Sequence, residues 1–311
     1  MRLIGSFLLM SALAALGPSV APAQAQLSRT FVSAAIGNDA NDCNRATPCR
    51  SFQGAHDKTN DQGEIMVLDP GGYGALRIAK SISVVNDGVG EASILVSGGV
   101  TGITVDAGAS GSVNLRGITI QGIGFGGGTG LVFNSGFALT VTNCVIRGHT
   151  GSGILFAPNA DGRLAVSNTL MADNVGNGIA AIPGGHGFVR VALSRVEAYD
   201  NSQHGFFFDG EFSLGNLVAV VADSVAAGNL RDGVHANSGS SSAQPLVMVT
   251  RSVLANNGGT GAAATGNALL DLSASTVSGN GTDVSHIQSF GDNIINFNFN
   301  SGPIDAVFPR R

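Results

Sequence analysis

Four polar residues each stand immediately before a glycine, at nearly even intervals along the chain: Asn177, His204, Asp232 and Thr260. If the fold stacks residues at such intervals, His204 sits beside Asp232 within hydrogen-bond or ion-pair reach. An imidazole beside a carboxylate can hold a proton, a cation or a polar ligand. Asp209 and Glu211 follow His204, and His186 precedes it. These five residues, His186, His204, Asp209, Glu211 and Asp232, define a candidate ligand face. Alternation from Phe206 turns Phe207 outward next to His235, the one plausible stacking pair for a sugar ring. The plainer alternative is that this turn position accepts any polar residue, and that Phe207 is a scattered apolar surface residue.

Other constellations are weaker. Asp173 and Asp200 fall at matching places and would stack about 5 Å apart, close enough for one pKa to rise. Two solvated turn carboxylates are the simpler account. Cys144 lies in the apolar run "LTVTNCVIRG" with no histidine pointed at it, which reads as a small buried hydrophobe rather than a nucleophile. No metal ligand set and no cofactor is assigned.

What places these residues is a repeat. "NTLMADNVGNGI", "SRVEAYDNSQHGF", "DSVAAGNLRDGV" and "RSVLANNGGTGA" say nearly the same thing. Each has an apolar residue, an Asn four places on (five in the second), then a Gly four places later. The apolar anchors Thr119, Val145, Leu170, Val196, Val225, Val253 and Val277 recur every 24 to 29 residues. Periods of this size mean a solenoid, propeller or array. No long helical stretch exists. Short β-branched runs with a period of two, such as "VRVAL" and "LVMV", indicate strands. Three short strands in about 26 residues make one coil of a parallel β-helix, whereas a propeller blade needs about 40. About nine coils fit between Ile65 and Phe299.

In stacked coils, equivalent residues lie above one another. Asn174, Asn201, Asn229, Asn257 and Asn280 then form a structural column at a tight bend, bonding their own turn and its neighbour. The glycines Gly153, Gly178, Gly205, Gly233 and Gly261 suit a backbone with positive φ. The next residues, Ile154, Ile179, Phe206 and Val234, should point inward. Residues 157–163, 182–188, 208–216 and 237–245 are the variable loops, where function on a rigid scaffold usually sits.

The ends of the chain and its bulk composition bound the rest. Arg2, an apolar run from Leu3 to Leu16 and the small-x-small triplet Ala23-Gln24-Ala25 read as a secretory signal peptide, residues 1–25, cleaved after Ala25. The protein is therefore expected in the periplasm or outside the cell. No later run is long and apolar enough for a membrane helix. The full chain carries a net charge of −5, and losing Arg2 makes it −6. That balance argues against nucleic acid as a partner. The 46 glycines occur with 43% hydrophobic residues, which suits a turn-rich β structure rather than disorder. Cys43 and Cys49, six apart in an exported chain, are expected to form a disulfide.

The stretch from Arg29 to Gly74 carries a resemblance. Gly37, Asp39 and Asn41 match a G-x-D-x-N turn. Pro48-Cys49-Arg50-Ser51-Phe52 matches a step into a short capping helix. Gly63-Glu64-Ile65 and Gly72-Tyr73-Gly74 match the first coil. This resembles the N-terminal module of secreted right-handed parallel β-helix proteins of the pectin-lyase-like superfamily, and the likeness extends over the mature chain. It implies that residues 26–64 form the first strand and capping helix. It implies likewise that 65–311 form the β-helix, with "DNIINFNFNSGPIDAVF" closing the far end. Phe52 and Ala55 share one side of the helix, suited to a lid over the first coil.

The superfamily holds lyases, hydrolases, epimerases and adhesins, so fold does not set function. Lyases of this fold bind Ca²⁺ through clustered acids, and no loop here carries three. Glycosidases of the fold carry N-T-D, D-D, G-H-G and R-I-K motifs. Here Gly185-His186-Gly187 matches, but Leu170 follows Asn168-Thr169, and neither an Asp pair nor Arg-x-Lys follows. There is no Trp, and Tyr73 and Tyr199 are isolated. The resulting expectation is an exported β-helix repeat protein, a monomer, binding a polysaccharide or cell-envelope glycan without a recognisable catalytic set. The alternatives are a divergent carbohydrate-active enzyme, lyase- or glycosidase-like, and a surface or adhesion protein.

Overall fold

A computed structural model describes residues 27–239 and 244–308; the expected signal peptide and its cleavage after Ala25 lie outside the described residues. Short strands alternate buried and exposed residues. In Leu217–Ala222 the buried positions are Leu217, Ala219 and Val221. A strand this short cannot bury its apolar side alone, so coils stack and every strand pairing is parallel. Two faces of the coil belong to one long sheet. They are seen in Leu217–Ala222 followed by Val225–Ala227, and in Pro245–Thr250 followed by Val253–Ala255. The third face is a separate sheet, running from Leu76–Ile78 to Thr282–Ser285.

Among the described residues the third-face sheet stacks nine strands, of which seven have a neighbour on both sides. The nine coils counted from spacing thus resolve into about seven interior turns with an end rung on each side. Ile154, Ile179, Phe206 and Val234 are all fully buried at one inward position, as the repeat predicts. The anchor residues need correction. Backbone register aligns Val145, Leu170, Glu197, Val225, Val253 and Thr276, so Val196 and Val277 are one place off. The aligned row faces outward, so it tolerates Glu197 and Thr276, and counting apolar letters missed it.

Both sharp bends use left-handed backbone. Between the first two faces these residues are Asn143, Asn168, Arg195, Asp223, Arg251 and Ala274, with φ from 47° to 55°. Between the second and third faces they include Asp173, Asp200, Gly228 and Asn256. The residue after that second bend is the ladder Asn. Asn174 Nδ2 donates to Asn201 Oδ1, Asn201 Nδ2 to Asn229 Oδ1, and Asn229 Nδ2 to Asn257 Oδ1, each at 2.9 Å. Asn257 and Asn280 continue the series to Asn298. Each Oδ1 also accepts the backbone N–H of the preceding coil's Asn, and each Nδ2 reaches a carbonyl of an earlier coil, such as Ala198 for Asn229. A buried amide needs all of these partners. The column chiefly joins coil to coil; bonds within the same turn appear at its end, from Asn280 Nδ2 to the Ser278 carbonyl and from Asn298 Nδ2 to that of Asn296.

The glycine column also has a different cause from the one expected. Gly153, Gly178, Gly205, Gly233 and Gly261 do not have positive φ. A Cβ on Gly178 would lie 2.6 Å from the Gly205 carbonyl oxygen and 3.2 Å from Asn201 Nδ2. These glycines are required because adjacent coils approach there beside the Asn ladder.

The N-terminal end is sealed by a helix, Phe52–Lys58, capped by Ser51. Phe52 and Ala55 are fully buried, with the Phe52 ring 4.9 Å from Tyr73. Cys43 and Cys49 form the expected disulfide. At the far end Ile294–Asn296 and Ile304–Val307 add further parallel rungs, leaving Phe297 and Phe299 exposed. No described helix is long and apolar enough to cross a membrane.

Candidate functional site

The polar residues before the column glycines form a second ladder. Ser152 Oγ accepts the N–H of Asn177, Asn177 Oδ1 that of His204, and His204 Nδ1 that of Asp232. Asp232 Oδ1 accepts the N–H of Thr260 at 2.6 Å. This turn therefore asks only for an acceptor, and Ser, Asn, His and Asp all serve. The plain alternative accounts for the column as such, but not for what gathers around its middle.

His204 Nδ1 lies 3.2 Å from Asp232 Oδ2, and His235 Nδ1 lies 2.6 Å from the same oxygen. His235 reaches Asp232 because Gly233 and Val234 pass inward between them, and the next outward residue on Val234–Asn237 is His235. Phe207 pairs with His235 in register, as alternation predicts. Its stacking partner is His204, however, at 5.1 Å and 16° between planes; His235 meets Phe207 edge-on at 5.7 Å. Burial alone would raise the Asp232 carboxyl. Hydrogen bonds from His204, His235 and the Thr260 amide outweigh it and hold the group well below the usual carboxylate range.

A hydrogen-bond relay continues from His235 across the outward row of the third face. His235 Nε2 is 3.1 Å from Thr265 Oγ1, Thr265 Oγ1 is 2.8 Å from Asn237 Oδ1, and Asn237 Nδ2 donates to Asp209 Oδ1 at 2.9 Å. Asp209 is buried and also accepts the backbone N–H of Glu211. A cleft of about 480 Å³ opens over His204, Phe207, Asp232, His235, Asn237 and the neighbouring Arg231. The structure thus brings together His204, Phe207, Asp232 and His235, with Asp209 joined through the relay. Glu211 lies on the exposed loop beyond Asp209. Among the described residues, His186 is exposed and lines neither the cleft nor the cluster.

Reading from sequence missed His235 as a partner of Asp232, and missed Asn237 and Thr265. The 28-residue offsets linking Asp209, Asn237 and Thr265 would have found that row. It also missed a groove of about 580 Å³ along the first bend, lined by Asn143, Asn168, Arg195, Glu197 and Asp223. There Arg195 Nε donates to Asn168 Oδ1 at 2.6 Å, and Arg251 makes two bonds to Asp223. Among the described residues no hydrogen bond joins the Asp173 and Asp200 carboxylates, and both project from left-handed bends. Cys144 is buried, and desolvation pushes its thiol up to about 11. It occupies the place where other coils put Ser224, Ser252 or Ser275, in a third small-residue ladder.

No protein-family model matches the chain, and no curated protein matches it by sequence. Among solved structures, pectate lyase Pel9A aligns with a TM-score of 0.62 at 18% identity, covering 91% of this chain and 78% of that one. The A-module of the mannuronan C-5 epimerase AlgE4 of Azotobacter vinelandii aligns with a TM-score of 0.54 at 18% identity, covering 73% and 67%. Both are similarities of fold.

Proposed function

The chain has the right-handed parallel β-helix of the pectin-lyase-like fold, and from that premise we propose that it binds a polysaccharide or cell-envelope glycan on its third face, around Phe207. The observation that carries this reading is the stacked Phe207–His204 pair beside the open cleft. An aromatic plane flanked by Asp232, Arg231 and Asn237 offers an apolar surface with converging polar groups, as sugar rings require. Pectate and mannuronan, named in the two fold neighbours, are acidic polysaccharides, and Arg231 supplies a positive group at the cleft. The protein acts as a monomer after export to the periplasm or beyond. The disulfide supports an oxidising compartment.

The test is isothermal titration with acidic and neutral oligosaccharides. At least one series should bind, and Phe207→Ala should weaken it about 10-fold. No binding across the panel, or unchanged binding in both Phe207→Ala and Arg231→Ala, sinks the reading.

A second reading, a divergent carbohydrate-active enzyme, is favoured by one observation: a single carboxylate shared by two imidazoles, a proton-transfer grouping. Release of unsaturated ends or reducing sugar, lost in His235→Ala, would carry it.

A further inference from the structure

We propose that His204, Asp232 and His235 bind one divalent first-row transition cation of the zinc class, with its remaining positions open to the cleft. One ring nitrogen of each histidine and a carboxylate oxygen of Asp232 lie within 4.8 Å of one another, and Nδ1 of each faces Asp232 Oδ2. Two nitrogens and one oxygen make a borderline donor set. Calcium and magnesium prefer six or more oxygens, so this site discriminates against them. Two atoms sharing a tetrahedral zinc stand about 3.3 Å apart. The His204 Nδ1 to Asp232 Oδ2 separation of 3.2 Å already matches. The closer His235 contact of 2.6 Å needs to open by less than 1 Å.

The hydrogen bonding around His204 points the same way. Its Nδ1 faces both the Asp232 N–H at 3.3 Å and Asp232 Oδ2 at 3.2 Å, and one ring nitrogen cannot accept from the first and donate to the second at once. Whenever Nδ1 accepts the N–H, its lone pair also faces Asp232 Oδ2, and that contact is repulsive. A cation between them turns that contact into an attraction.

His235 has the outer partner that metal-bound imidazoles need. When Nδ1 turns to the metal, its proton leaves to water and another is taken up at Nε2, with no net change. The Nε2–H then donates to Thr265 Oγ1 at 3.1 Å, whose own hydroxyl proton goes to Asn237 Oδ1 at 2.8 Å. Such a second layer fixes the tautomer and strengthens the ligand. The three side chains are 11, 13 and 17% exposed, open enough to admit an ion from the cleft and leave room for water or a ligand hydroxyl.

The proposal does not depend on glycan binding, and its probe is the metal alone. Chelator-treated, tag-free protein is titrated calorimetrically with Zn²⁺ and with Ca²⁺, and Co²⁺ is followed by visible absorption. His204→Asn keeps the acceptor that the next coil's amide uses, as Asn177 does. His235→Ala lies outside that ladder. Both variants should therefore fold, with unchanged circular dichroism. One Zn²⁺ should bind per chain, Co²⁺ should give tetrahedral or five-coordinate visible bands, and each variant should weaken Zn²⁺ by roughly 100-fold or more. Absence of saturable Zn²⁺ binding overturns the proposal. So does equal binding in folded His204→Asn and His235→Ala, or tighter binding of Ca²⁺ than of Zn²⁺.

Discussion

Two columns run side by side along this rod, only three residues apart in each coil, and they differ in almost everything but backbone duty. Asn174 to Asn280 are buried, identical and bonded on every polar atom. Ser152, Asn177, His204, Asp232 and Thr260 sit at the rim and are chemically mixed. The first column must accept and donate at once inside the protein, and only an amide does both at this length. The second must only accept one N–H. Its spare atoms face outward, so its side chains are free to differ. Variation at a repeat position thus marks where the scaffold demands least, and there the His204–Asp232–His235 cluster has formed.

The sharpest test removes one amide from the uniform column. Asn229→Ala strips the acceptor from Asn201 and the donor from Ala198 and Asn257, leaving buried groups unpaired. We expect a loss of about 4 kcal/mol, read from urea denaturation. A loss no larger than that of Asp232→Ala would mean that the two columns are equivalent.

The rim column should respond less and more selectively. Asp232→Ala removes both the charge and the acceptor of the Thr260 amide and should cost about 3 kcal/mol, while Asp232→Asn keeps Oδ1, loses only the charge and should cost about 1 kcal/mol. Equal losses in the two variants would show that the charge, not the acceptor, holds the bend.

The smallest effect is in pH. Because the folded-state Asp232 carboxyl is depressed, its charged form stabilises the fold fully above the ordinary carboxylate value. That contribution is lost as pH falls from about 4 toward the folded value. Wild type should therefore lose melting temperature relative to Asp232→Asn over that acidic window. Asn229→Ala should parallel wild type there, since the Asn column does not titrate. A flat difference between wild type and Asp232→Asn would contradict the assigned contacts.

Much of the architecture is written in the repeat. The coil length, the inward Ile154–Ile179–Phe206–Val234 position, the Asn column and the disulfide can be read from periodicity and cysteine spacing, and the capping helix from the resemblance of the N-terminal stretch. Two backbone details are not legible. The left-handed residue is the one before the ladder Asn, Asp173 or Gly228 for instance, and the column glycines answer to crowding. Sequence shows that a small residue is needed but not whether torsion or space requires it. At the site, His204 and Asp232 are legible as neighbours because they share a repeat position. His235 enters the cluster through alternation within one strand and stacking between two. His186 shares the neighbourhood in sequence, but its turn sits beyond the third-face strand.

The two columns also point in opposite directions along the rod. In the Asn ladder each side chain donates toward the next coil, whereas in the rim column each side chain accepts from it. The first is a chain of amide dipoles aligned head to tail, a one-dimensional hydrogen-bonded wire in which each link polarises the next. Its cohesion therefore grows with the number of coils, and cutting it in the middle weakens both halves. The second runs antiparallel a few ångströms away and offsets part of the axial field.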